Sequence, residues 1–212
     1  METIISRANL KTYLMETKQI KIMVADPTTL GLFGLAIVTL VASSQKLGIT
    51  DGLSFVLPWA LFLGGVAQII ASVFDFKHNN LFGSTAFAAY GLFWIGMGMS
   101  WLIRLGCFGE ALAASADTKQ LGFVFMGYLI LTTIFLISAV KMSKAMFILL
   151  ILIVILFSTL ALEAFGCGQI WHVIAAYSEL TISLLTFYVL AAKYLNSVFG
   201  REVLSTGKPF VQ

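Results

Sequence analysis

Two ionisable side chains stand in an otherwise apolar stretch late in the chain: Glu179, and His172 seven residues before it. On a helix that spacing sets both on one face, where a carboxyl and an imidazole can take up and pass on a proton. Glu179 admits a second reading, a neutral acid hydrogen-bonded across a subunit contact. The other hydrogen-bonding groups inside apolar runs carry no charge: Thr39, Gln68, Thr85 and Tyr90. An amide such as Gln68 needs a partner in hydrocarbon, because a buried polar group without one is costly. It serves either as glue between helices or as the lining of a pathway. Tyr90 alone has the same two readings, a packed aromatic with a satisfied hydroxyl or a plug with one donor. Near the start, Asp26 and Pro27 make a helix cap: the carboxylate accepts from free first-turn N–H groups, and proline has no N–H to lose.

The chemistries of enzymes are missing. The two histidines, His78 and His172, belong on opposite sides of a membrane and form no metal site with cysteine or carboxylate. There is no nucleophile–base arrangement, no glycine loop for phosphate and no lysine deep in a helix to hold a cofactor. No metal, cofactor or catalytic residue is expected. Basic clusters with interleaved aromatics are also lacking, which excludes a nucleic-acid surface.

The elements that must position these residues are membrane helices. Hydrophobic residues make up 59% of the chain and charged residues 11%, against roughly 25% charged in a soluble domain. Apolar runs of spanning length lie near 28–44, 53–74, 82–103, 120–140, 145–162 and 170–192. Six runs with mostly short connections predict an all-α integral membrane protein with both termini on one side. Ten of the thirteen lysines and arginines fall on that side and three (Lys46, Arg104 and Lys119) on the other. This bias places both termini in the cytoplasm. The expected organisation is an N-terminal segment 1–25, a transmembrane domain 26–195 and a cytoplasmic tail 196–212. The first segment mixes Ile4, Ile5, Leu10 and Leu14 with Arg7, Lys11, Lys18 and Lys21. It is either a helix on the inner leaflet or a solvated tail, and it is too charged for a cleavable signal peptide. Cys107 and Cys167 fall in outward loops, bridged or free.

Small residues recur at helical spacing in the second run (Ala60, Gly64, Gln68, Ala71, Ser72), where they let backbones close in. In the third run Gly83, Phe87, Tyr90 and Trp94 share one stripe.

Several strings resemble a known family. "DPTTLGL" (26–32) is similar to the Asn-Pro-Ala-Pro-Leu-Gly-Leu start of the acetate uptake transporters, or succinate–acetate permeases. "GGVAQIIA" (64–71), "NNLFGSTAFAAYGLFW" (79–94) and "LNSVFGREVL" (195–204) resemble that family's strings more closely still. The resemblance implies six helices per subunit in a homohexamer with one pathway per protomer, in the plasma membrane. It implies a substrate such as acetate or a related small monocarboxylate, with succinate in some members, moved with protons or passively. Carried over by position, it implies constriction residues Leu35, Tyr90 and Ile153. Asp26 stands where the family has Asn and Thr29 where it has its second Pro. An ionised carboxylate at the mouth would repel an anion, and a protonated one would not.

The residues agree with that resemblance. A carboxylate with a methyl group needs donors for its oxygens and tolerates apolar walls. Thr39, Gln68, Thr85, Tyr90 and helix N-termini offer donors without a full charge. No fixed Arg or Lys stands inside a run, as fast release of an anion requires. The alternative functions are a channel for a neutral solute of the urea or amide kind and a membrane sensor with little flux.

Overall fold

The computed structural model describes residues 25–211. The expected interfacial helix or tail at 1–25 lies almost wholly outside the described residues. Among the described residues six helices are long and apolar enough to span a bilayer: α1 (Thr28–Lys46), α2 (Val56–Lys77), α3 (Leu81–Arg104), α4 (Thr118–Lys141), α5 (Lys144–Ala164) and α6 (Ile170–Phe199). A short helix, Glu110–Ala114, sits in the α3–α4 connection.

Polar residues at the run boundaries start these helices. Asp26 accepts from Thr28 N at 2.9 Å, Asn80 from Gly83 N at 3.1 Å and Asp117 from Lys119 N at 2.9 Å. Ser143 accepts from Met146 N at 3.3 Å. Each binds one N–H that the helix leaves without a partner. Hydropathy set α2 three residues early, at 53–74 against Val56–Lys77, and ended α6 too soon. Lys193 and Asn196 end the apolar run but not the helix, which continues to Phe199 and stops at Gly200 in the left-handed region, φ +63°. The expected domain boundary at residue 195 thus falls inside α6.

Helix α2 is α-helical at both ends and π-helical over Ala60–Ala67. The small residues expected on its stripe are buried and meet large neighbours. Gly64 faces Trp94, and Gly65 faces Ile95. Hydroxyls join helices through backbone carbonyls. Ser72 Oγ donates to Ser84 O at 2.6 Å, Ser178 Oγ to Leu152 O at 2.9 Å, and Ser183 Oγ to Ala36 O at 2.8 Å. Backbones approach closely along α1–α6, α4–α5, α5–α6 and α2–α3. Helix α3 meets α4 and α5 differently, through aromatic side chains: Phe93 and Tyr90 lie 5.1 and 6.3 Å from Phe157, centroid to centroid.

Both ends of the described chain lie at one end of the bundle, here the terminal end. Lys193 Nζ meets Asp26 Oδ2 at 2.9 Å, and the tail returns to α4 through Phe210 N and Val140 O at 3.0 Å. Asn196 holds that tail, accepting from Val203 N and Leu204 N and donating to Leu204 O.

Candidate translocation pathway

Two cavities share four lining helices, α1, α3, α5 and α6, and α4 adds Thr118, Leu121 and Phe125 to the far-end one. The terminal-end cavity, about 390 Å³, is lined by Thr28, Asn80, Ser143, Met146 and Lys193 among others. Thr28, Asn80 and Ser143 mark the N-terminal ends of α1, α3 and α5, so three helix N-termini and an ammonium face one space. That is an environment for an anion. The far-end cavity, about 560 Å³, is lined by Phe93, Trp94 and Leu156 on its apolar side. Its polar side holds Lys46, Arg104, Glu163, His172 and Glu179.

The band between the cavities runs from Gly83 to Phe93 on α3, from Met146 to Leu156 on α5 and from Val189 to Glu179 on α6. Ten residues of helix make it about 15 Å thick. Leu35, Tyr90 and Ile153 all fall within the band and all are buried. Tyr90 and Ile153 join one apolar cluster, and Leu35 is outside it. Tyr90 is 6% exposed, with Phe135 edge-on at 6.2 Å and Tyr128 stacked at 6.5 Å. Its hydroxyl lies 2.9 Å from Thr132 Oγ1 on α4. Nothing in the sequence marked Thr132, which is one of two adjacent threonines in an apolar run.

Gln68 is 1% exposed, and both its amide nitrogen and its amide oxygen lack a hydrogen-bond partner. Among the described residues no neighbouring helix offers that amide a hydrogen bond. The side chain wedges between two glycines: a Cβ on Gly34 would lie 3.3 Å from its Cγ, and one on Gly91 3.3 Å from its Cβ. Those glycines adjoin Leu35 and Tyr90, so the unpartnered amide sits at the height of the constriction, where α2 leaves its π-helical stretch.

Four expectations need correction. Thr39 and Thr85 donate to carbonyls of their own helices, Leu35 O at 2.7 Å and Leu81 O at 2.8 Å, the usual default of a threonine in a helix. Neither has a free proton for a guest. Asp26 caps α1 as expected but is no isolated charge, because Lys193 neutralises it. Burial alone would raise the Asp26 carboxyl, yet hydrogen bonds from Thr28 and the Lys193 ammonium outweigh it and hold the group below its ordinary value. Asp26 therefore stays ionised at neutral pH without presenting a bare negative mouth. Lys46, expected in a far-side loop, is the last residue of α1 and turns Nζ onto Glu179 Oε2 at 2.8 Å. Glu179 is thus paired within its own chain. His172 does lie in the same cavity, its Nδ1 2.8 Å from Glu163 Oε1 and its Nε2 3.0 Å from Lys46 O. Cys107 and Cys167 are free and exposed.

Fold and site define a class: a six-span membrane protein with a cavity towards each end of the bundle and a buried, largely apolar band between them. The chain belongs to the GPR1/FUN34/yaaH family, whose model matches residues 9–204. The succinate-acetate/proton symporter SatP of Escherichia coli (strain K12) is 30% identical over 187 residues, covering 87% of this chain and 96% of that protein. Acetate permease A of Emericella nidulans is 32% identical over 155 residues, 69% of this chain and 50% of the relative. A solved structure described as that of the bacterial acetate channel SatP superposes with a TM-score of 0.81 at 26% identity, covering 87% of this chain and all of that one. These matches are to transport proteins, and the chain is not an enzyme.

Proposed function

We propose that this chain is a channel or transporter for acetate and related small monocarboxylates, succinate among the candidates. The observation that carries the reading is the pair of cavities that share α1, α3, α5 and α6 as lining helices and are separated by a band about 15 Å thick. At the terminal end three helix N-termini favour a carboxylate, beside a Lys193 ammonium that is already paired with Asp26. The band passes its methyl group between Leu35, Tyr90 and Ile153, while the Gln68 amide offers an uncharged donor at the same height. Neutral donors bind an anion weakly enough for it to leave. The names of the relatives support the substrate class.

The terminal end faces the cytoplasm of a cell-membrane protein, a reading that the charge split supports. The assembly is a homohexamer with one pathway per protomer, as the family resemblance implies. Exposed apolar side chains such as Phe62, Phe123 and Ile137 then meet lipid or a neighbouring subunit.

The test is uptake of labelled acetate into proteoliposomes, with unlabelled acetate, succinate or urea as competitor. Uptake above that of protein-free liposomes, suppressed by acetate and indifferent to urea, is expected. Suppression by urea would favour a neutral-solute channel, and no uptake at all would favour a sensor.

A further inference from the structure

The far-end cavity holds more charge than a passive anion path needs. Glu179 is 1% exposed in the interior of α6, and its one ion-pair partner among the described residues is the Lys46 ammonium, itself only 16% exposed. Arg104 on α3, Glu163 on α5 and His172 on α6 face the same space. The two His172 nitrogens face a carboxylate oxygen and a carbonyl oxygen, both acceptors. A proton-bearing ring, or a proton shared with Glu163, satisfies that geometry.

We infer that Lys46 and Glu179 form a carboxylate-exchange site that couples one proton to each substrate molecule. Glu179 is a tethered copy of the substrate's own functional group. An incoming carboxylate displaces it from Lys46 Nζ. Glu179, buried and deprived of its cation, takes a proton from the cavity water beside His172 and becomes a neutral acid, because an unpaired carboxylate is too costly at that depth. The balance is carboxylate plus proton plus the Lys46–Glu179 pair, giving the Lys46–substrate pair plus neutral Glu179. No bond other than O–H forms, and the charge of the cavity changes by nothing beyond the entry of a neutral sum. Release runs the same exchange backwards. Glu179 gives up its proton, reclaims Lys46 and expels the substrate, so the ammonium never holds a carboxylate uncontested. This inference rests on the carboxylate-transport reading and supplies its proton linkage.

The experiment measures acetate affinity against pH for the wild type and Glu179→Gln in detergent, beside labelled-acetate flux in liposomes. Gln mimics the protonated acid and leaves Lys46 free for substrate. If binding takes up one proton, wild-type affinity falls about tenfold per pH unit across roughly pH 6 to 8, whereas Glu179→Gln binds with an affinity flat in pH and, lacking a carboxylate to expel the substrate, conducts more slowly than the wild type. Equal slopes in the two proteins overturn the inference and leave carboxylate transport standing, as does a folded Glu179→Gln protein that no longer binds acetate. A wild type without acetate flux overturns both. Should Glu179→Gln fail to fold, wild-type calorimetry in buffers of different ionisation enthalpy decides. One proton taken up per acetate is expected, and none refutes the exchange.

Discussion

Tyr90 offers the most discriminating perturbation, because its ring and its hydroxyl do separable things. The ring is buried against Phe135, Phe157 and Tyr128, and the hydroxyl pairs with Thr132. Tyr90→Phe keeps the ring and breaks one neutral hydrogen bond. Such a bond contributes about 0.5–1.5 kcal/mol, and inter-helix bonds in membrane proteins average about 0.6 kcal/mol. The low end applies, because the stranded Thr132 hydroxyl can turn to a carbonyl of its own helix, as Thr133 does with Leu129 O at 2.7 Å. A cycle of Tyr90→Phe, Thr132→Val and the double variant should show a coupling near 0.6 kcal/mol in thermal unfolding. Tyr90→Ala removes the whole ring at a cost of about 3–5 kcal/mol. If the protein still folds, it admits larger carboxylates. The assay is flux of acetate and of a longer carboxylate through each variant in liposomes. Tyr90→Phe should lower acetate flux by no more than about tenfold, the equivalent of one such bond. A folded Tyr90→Ala protein with wild-type selectivity would remove Tyr90 from the constriction.

Three further outcomes are expected. Gly34→Ala should cost about 1–3 kcal/mol in detergent melts, because its Cβ would run into the backbone carbonyl of Leu63, whereas Gly96, with open space beside it, should gain about 0.5–1 kcal/mol as alanine. Asp26 has a folded-state pKa below its unfolded value, so its stabilisation is complete above about pH 4 and is lost only as pH falls through the folded value. Asp26→Asn, which still caps α1, should therefore leave the pH profile of acetate flux unchanged between about pH 5 and 8; a flattened profile would contradict the ion-paired geometry. Asn196→Ala removes three hydrogen bonds to the tail and should expose residues 200–211 to protease without a comparable loss in bundle stability.

The sequence made the spans legible because hydrophobic length is a property of each run by itself. It also marked Tyr90 and Gln68, since a hydroxyl or an amide in hydrocarbon stands out. Pairings between helices were not legible. Lys46 and Glu179 are 133 positions apart, and only the packing of α1 against α6 brings them together. A lysine at the end of an apolar run has the same appearance whether it faces water or turns inward. Thr39 and Thr85 stand out in sequence as donors, although a helical threonine finds its nearest acceptor one turn back. The seven-residue spacing of His172 and Glu179 indicated a shared helix face, which depends on one helix alone, and not the cavity that holds them both.

The pathway itself is tested most directly at Ile153. With Cys107 and Cys167 replaced by Ser, Ile153→Cys puts the only thiol of the chain in the band between the cavities. Labelled-acetate flux is measured before and after reaction with a small neutral thiosulfonate, and mass spectrometry confirms the modification. The account predicts that flux falls to the level of protein-free liposomes as the thiol is modified, and that saturating acetate slows the reaction. Complete modification with undiminished acetate flux would show that the substrate does not pass between α1, α3, α5 and α6.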